Sequence, residues 1–131
     1  MVALVAGIAP VALAASCGPQ WNGSVAGIGA HAQSCLDWTT DAYTHFGESW
    51  TDAAVDNLGT RNRGGQLCDG VFRWDTDTGW QWAPPGATYH RASASDPILH
   101  CTSGHSYHSA SNHFFDEAGY NRTPETSHWS S

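Results

Sequence analysis

The clearest local signal in the chain is an alternation of period two from Ile28 to Trp38. Ile28, Ala30, Ala32, Ser34, Leu36 and Trp38 fall on one side, and Gly29, His31, Gln33, Cys35 and Asp37 on the other. Successive side chains of a strand point to opposite faces, so this spacing predicts a half-buried β-strand. Upstream, Asn22-Gly23 has the chemistry of a two-residue turn and predicts a hairpin with a short strand around Cys17 to Trp21. A second hairpin is predicted from Val71-Phe72-Arg73-Trp74 and Trp80-Gln81-Trp82, joined by an Asp/Thr/Gly loop over 75–79. Ala83-Pro84-Pro85-Gly86 ends that element, because Pro cannot donate to a ladder.

Further short strands are expected within 87–91, 97–101 and 105–115. Residues 41–58 read two ways. Tyr43, Phe46, Trp50, Ala54 and Leu58 have helical spacing, with Ser49 and Asp52 placed as in a capping box. The Thr and Gly content favours a strand, and the strand reading is preferred. Residues 59–66 read as a polar loop. From Asp116 on, the chain reads as a polar, mobile tail in which Trp129 is out of place. Short strands at this spacing predict an all-β domain, a small antiparallel sandwich of immunoglobulin-like or similar form.

The N-terminus changes the picture. Residues 1–15 are a nearly unbroken apolar run, as long as a signal-peptide apolar region and short of the ~20 residues of a membrane-spanning helix. Ala12-Leu13-Ala14 offers a small-x-small cleavage site that would start the mature chain at Ala15, although basic residues ahead of the run are missing. The organisation expected is therefore a leader over 1–15, a sandwich over 16–115 and a tail over 116–131, with the protein secreted. Leu13-Ala14-Ala15-Ser16-Cys17 also fits a bacterial lipoprotein box, which would lipidate Cys17 and hold the protein at the cell surface. Four cysteines, Cys17, Cys35, Cys68 and Cys101, suit two disulfides in an oxidising compartment, and that reading is preferred.

Composition supports the staples. After Ser16 the Val, Ile and Leu residues number nine, against seven Trp, four Tyr and four Phe. So few aliphatics favour a core built from aromatics and tied by disulfides. Phe72, Trp74, Trp80 and Trp82 are then expected in the core, with Arg73 and Gln81 projecting outward. Were the aromatics to face solvent instead, they would form an apolar platform for sugar rings or a partner protein.

The formal charge of −7, with arginine as the only basic residue type besides His, disfavours nucleic-acid binding and polybasic membrane docking. Membrane association is expected only if Cys17 is lipidated. His105, His108 and His113 are weak metal candidates, because i and i+3 on a strand face opposite ways. Asp75-x-Asp77-x-Gly79 resembles a fragment of a calcium loop but lacks its later ligands, so a plain turn is preferred. Nucleophile-elbow, phosphate-loop and Cys-x-x-Cys motifs are missing from the sequence.

In architecture the chain resembles the small secreted α-amylase inhibitors of actinobacteria, all-β domains with two sequential disulfides and a Trp-Arg-Tyr turn. Here Phe72-Arg73-Trp74 differs in order and lies between the third and fourth cysteines, so no function transfers. Of the three connectivities that four cysteines allow, sequential pairing of 17–35 and 68–101 is chosen. The function expected is an exported, non-catalytic module that recognises an extracellular protein or glycan, with Phe72, Arg73, Trp74, Trp80 and Trp82 as the binding candidates and no cofactor. A surface-coat protein and, with less support, a small metal-dependent or hydrolytic enzyme are the alternatives.

Overall fold

The computed structural model describes residues 15–39, 42–96 and 106–130. Within them the chain forms β1 (Ala15–Cys17), β2 (Trp21–Val25), β3 (Ile28–Thr39), β4 (Ala42–Thr51), β5 (Asn57–Cys68), β6 (Val71–Ala83), β7 (Tyr89–Asp96), β8 (Tyr107–Glu117), β9 (Tyr120–Arg122) and β10 (Glu125–Ser130). All pairings are antiparallel. One sheet runs β3-β4-β7, with β1 and β2 in turn along the outer side of β3. The other runs β8-β5-β6, with β9 and β10 sharing the outer side of β8. The two sheets pack face to face as the expected sandwich.

Cys17 and Cys35 are bonded and sit directly opposite each other across β1 and β3. Cys68 is also disulfide-bonded. Cys101, its partner in the sequence reading, lies outside the described residues, as do the apolar leader, the strand expected within 97–101 and His105.

Several expectations are corrected. The first hairpin turns at Ala26 and Gly27, both at positive φ, while Asn22-Gly23 lies inside β2. Gly23 is needed there for contact, because a Cβ would stand 2.5 Å from the Trp21 ring. The preferred strand reading holds for residues 42–51, while 52–56 turn into β5. The supposed loop 59–66 is the middle of β5, paired on both sides to β6 and β8. The supposed second hairpin is one strand, β6: Asp75 to Gly79 bulge against β5, with register shifts between Arg61 and Arg63 and between Gly64 and Gly65. Beyond Asp116 the chain returns as the edge strands β9 and β10, and Thr126 is buried between the sheets.

The interior is divided along its length. At one end Val25, Ala30, Ala32, Val55, Leu58, Ala83 and Phe115 form an apolar cluster, with Trp21 stacked on Phe115 at 5.6 Å. Past it, the inward positions become polar. Ser34, His45, Ser49, Thr60, Asn62, Ser109, Ser111 and His113 are each at most 2 % exposed. Such groups are costly to bury unless hydrogen-bonded, and here they bond one another. Asn62 Nδ2 donates to Ser109 Oγ (2.9 Å) and Ser111 Oγ (2.7 Å), and its Oδ1 faces His45 Nδ1 at 2.5 Å. His45 Nε2 meets the Thr76 hydroxyl. Ser34 donates to Ser111 at 2.6 Å and bonds Thr126 Oγ1 at 2.6 Å; Thr126 in turn meets His113 Nε2 at 2.8 Å. His113 Nδ1 lies 2.7 Å from Ser49 Oγ, which also reaches Thr60 Oγ1 and the Gly59 carbonyl.

The proton directions are fixed in sequence. Asn62 Oδ1 only accepts, so His45 carries its proton on Nδ1 and accepts from Thr76 at Nε2. Ser34 gives its single proton to Ser111, so Thr126 donates to Ser34 and His113 Nε2–H donates to Thr126. Burial keeps both imidazoles neutral above pH 6.5, so His113 Nδ1 carries no proton and accepts from Ser49 Oγ, whose single proton is shared with the Gly59 carbonyl at 3.1 Å. Burial lowers the pKa of His45 below 6.5 against smaller opposing effects from Asn62, Asp77 and Asp75, and pushes His113 down to about 4.

A dependence of stability on pH follows. Above pH 6.5 His113 is neutral both folded and unfolded and costs nothing. As pH falls below 6.5 the unfolded chain takes the proton first, so stability drops until the folded state also protonates near pH 4. Urea denaturation is expected to show a loss of about 2–3 kcal/mol between pH 7 and pH 4.5 from His113 alone. Stability that stays level over this range would contradict a neutral buried His113.

Candidate functional site

The outward face of the β8-β5-β6 sheet is built row by row from the strand register. Trp129, His108, Gly65 and Trp74 lie across one row; Ser127, Ala110, Arg63 and Asp77 across the next. Glu125, Asn112, Arg61 and Trp80 follow, and then Phe114, Gly59 and Trp82. The bulges in β6 decide this arrangement. Each adds a residue to β6 relative to β5, so together they restore the parity that puts Trp74, Trp80 and Trp82 on one face. Between them Asp77 turns outward to Arg61 at 2.5 Å, while Thr76 meets His45 inside and Thr78 Oγ1 accepts the Asn62 backbone N–H at 3.0 Å. The Arg61 guanidinium beside Asp77 holds its carboxyl below the usual range.

The aromatic residues of β6 are thus on the surface rather than in the core. Exposure runs from 39 % at Trp80 to 54 % at Trp82, with Trp74 and Trp129 between. The interior opposite them is filled by short polar side chains and glycine. A Cβ on Gly47 would lie 2.3 Å from Ser111 Oγ, and one on Gly64 would lie 2.1 Å from the His45 ring, which leaves no room there for indole. The rings gather in two clusters. Phe72 and Trp74 meet edge to face at 4.8 Å, and His108 stacks on Trp129 at 4.1 Å beside them. Trp80 and Trp82 stack at 5.1 Å, with Phe114 edge-on to Trp82 and Gly59 making room for the Trp82 ring.

Arg73, named with these residues from sequence, lies on the other face of β6 and pairs with the buried Asp75 at 3.1 Å. Gln81 is exposed and bonds the Thr78 carbonyl. His108 and His113 fall on opposite faces of β8, one in the surface cluster and the other inside. His108 Nδ1 donates to the His128 carbonyl at 3.1 Å, and burial lowers its pKa. Sequence reasoning did not find His108, Phe114 or Trp129 as members of an aromatic face. The signal was present in the alternation of 107–117 and in Trp129, which is out of keeping with a disordered tail.

Between the clusters runs a groove of about 370 Å³. Ala110 forms its floor, with His108 and Asn112 beside it, Arg63 at one end, and Ser127 and Glu125 at the other. The Arg63 guanidinium lies 4.3 Å from the centre of the Trp74 ring. Flat apolar rings therefore flank a depression with hydrogen-bond donors and acceptors. Such a surface can stack and orient a ligand that has both apolar faces and hydroxyls.

No protein-family model matches the chain, and comparison with curated proteins and with solved structures yields no match. The surface position of Trp82 is directly testable. In urea denaturation Trp82→Ala is expected to cost about 1 kcal/mol, the value of lost ring contacts at an exposed site, against about 3–5 kcal/mol for a Trp removed from a core. A loss in the core range would contradict its placement on the outer face.

Proposed function

We propose that this protein is an exported, non-catalytic module that binds an extracellular glycan across the outer face of the β8-β5-β6 sheet. The observation that carries the reading is the presentation of Trp74, Trp80, Trp82 and Trp129 on one sheet face, around a groove lined by Asn112, Ser127, Glu125 and Arg63. Pyranose rings pair apolar C–H faces with equatorial hydroxyls, which suits alternating indoles and hydrogen-bonding side chains. A protein partner would favour a more continuous apolar centre than this polar groove provides.

Export is supported by the Cys17–Cys35 disulfide, since such bonds persist in oxidising compartments. Cleavage after Ala14 would leave β1, which begins at Ala15, intact. The Cys17 sulfur is bonded to Cys35, and a lipid thioether would need that same atom. This favours a freely secreted protein over an anchored one.

The test is sedimentation of the purified protein with insoluble polysaccharides (cellulose, chitin, xylan, mannan and peptidoglycan). Retention by at least one is expected, weakened at least about tenfold by Trp74→Ala or Trp129→Ala. Retention by none, or retention indifferent to both substitutions, would overturn the proposal.

A further inference from the structure

We infer that the groove between the two aromatic clusters is a subsite for a sugar that bears a single carboxylate, received by Arg63. The inference rests on the glycan reading and narrows it. Four of the arginines are committed: Arg61 to Asp77, Arg73 to Asp75, Arg91 to Glu48, and Arg122 to the Ser24 carbonyl. Arg63 is different. Its Nε is buried and has no hydrogen-bond partner among the described residues. Asp77, directly across the strand pair, has both carboxylate oxygens on Arg61. One face of the Arg63 guanidinium is covered by Trp74. Stacking of this kind fixes the plane of the guanidinium, and Arg63 lines the groove.

A guanidinium held flat is a two-pronged donor whose spacing matches a carboxylate. The buried Nε–H has no acceptor, which is a costly state, and Arg63 forms no ion pair among the described residues. The remainder of the groove sets the size and kind of ligand. Arg63 and Ser127 stand on either side of Ala110, two strand spacings or about 10 Å apart, which is the breadth of a sugar ring with its substituents. Ala110 leaves the floor low, and Trp129 and Trp74 border the row alongside.

Glu125 limits the charge that can be accepted. It lines the groove at the Ser127 end, where it can accept sugar hydroxyls and would repel a second anion. The formal charge of −7 opposes polyanions in the same way at longer range. The class selected is therefore a glycan with isolated uronate residues and not a densely charged chain.

Calorimetric titration with disaccharides that carry one uronate (galacturonate, glucuronate or mannuronate joined to a neutral hexose) tests this, each alongside its methyl ester and its neutral parent. An acidic peptide of equal charge is the control for carboxylate recognition without a sugar. At least one uronate is expected to bind about tenfold or more tightly than its ester, as for a charge-assisted pair. Arg63→Gln should abolish that preference, with the acid losing more affinity than the ester while the variant still unfolds cooperatively on heating, and Arg63→Lys should restore part of it. Equal binding of acid and ester, binding of neutral sugars alone, or peptide binding that matches the uronate would overturn the inference. The first two would leave the wider glycan reading standing. Failure of every sugar here, together with every polysaccharide in the sedimentation assay, would remove both.

Discussion

Hydroxyls, amides and imidazoles placed between two sheets must find partners there, since water is excluded. In this sandwich the requirement is met by a connected set of bonds from Thr76 through His45, Asn62, Ser111, Ser34, Thr126 and His113 to Ser49 and Thr60. The set joins β3 and β4 of one sheet to β5, β8 and β10 of the other, and reaches β6 through Thr76. Each bond contributes about 0.5–1.5 kcal/mol net, but removing one partner leaves its neighbour buried and unsatisfied. Such a network is directional where an apolar core is not. It fixes the register of five strands through the identity of single protons.

That interior also accounts for the outside. Serine, threonine and glycine are small, so the polar half of the sandwich has no space for large rings. Gly47 and Gly64 bring backbone against Ser111 and His45. The tryptophans that the composition would assign to the core are instead displaced to the outer face, where they can meet a ligand. The apolar end, with Phe115, Leu58 and the alanines of β3, anchors the fold, and Trp74, Trp80, Trp82 and Trp129 stay at the surface.

How much of this was legible follows the same division. The alternation of Ile28 to Trp38 was readable because its inward positions include Ala30, Ala32 and Leu36, residues with the ordinary signature of burial. Strand β5 carries its burial in Thr60, Asn62, Gly64 and Gln66, which on hydropathy grounds read as a loop. Asp75 to Gly79 has true turn chemistry, but it is spent on a bulge, because Asp77 finds Arg61 and Thr76 finds His45. Asn22-Gly23 was misleading for a related reason: the glycine lies beneath the Trp21 ring, and Ala26-Gly27 makes the turn. At the candidate site, Phe72, Trp74, Trp80 and Trp82 were identifiable as a group. Their position was not, because it depends on contacts from β8 and β10 that are distant in sequence.

The buried network makes one specific chemical claim, the location of two protons, and long-range nitrogen–proton correlation of the imidazole rings at pH 6.5 tests it most directly. His45 is predicted to be neutral with its proton on Nδ1, and His113 neutral with its proton on Nε2. An imidazolium pattern at either ring, or the opposite tautomer at either, would contradict the account.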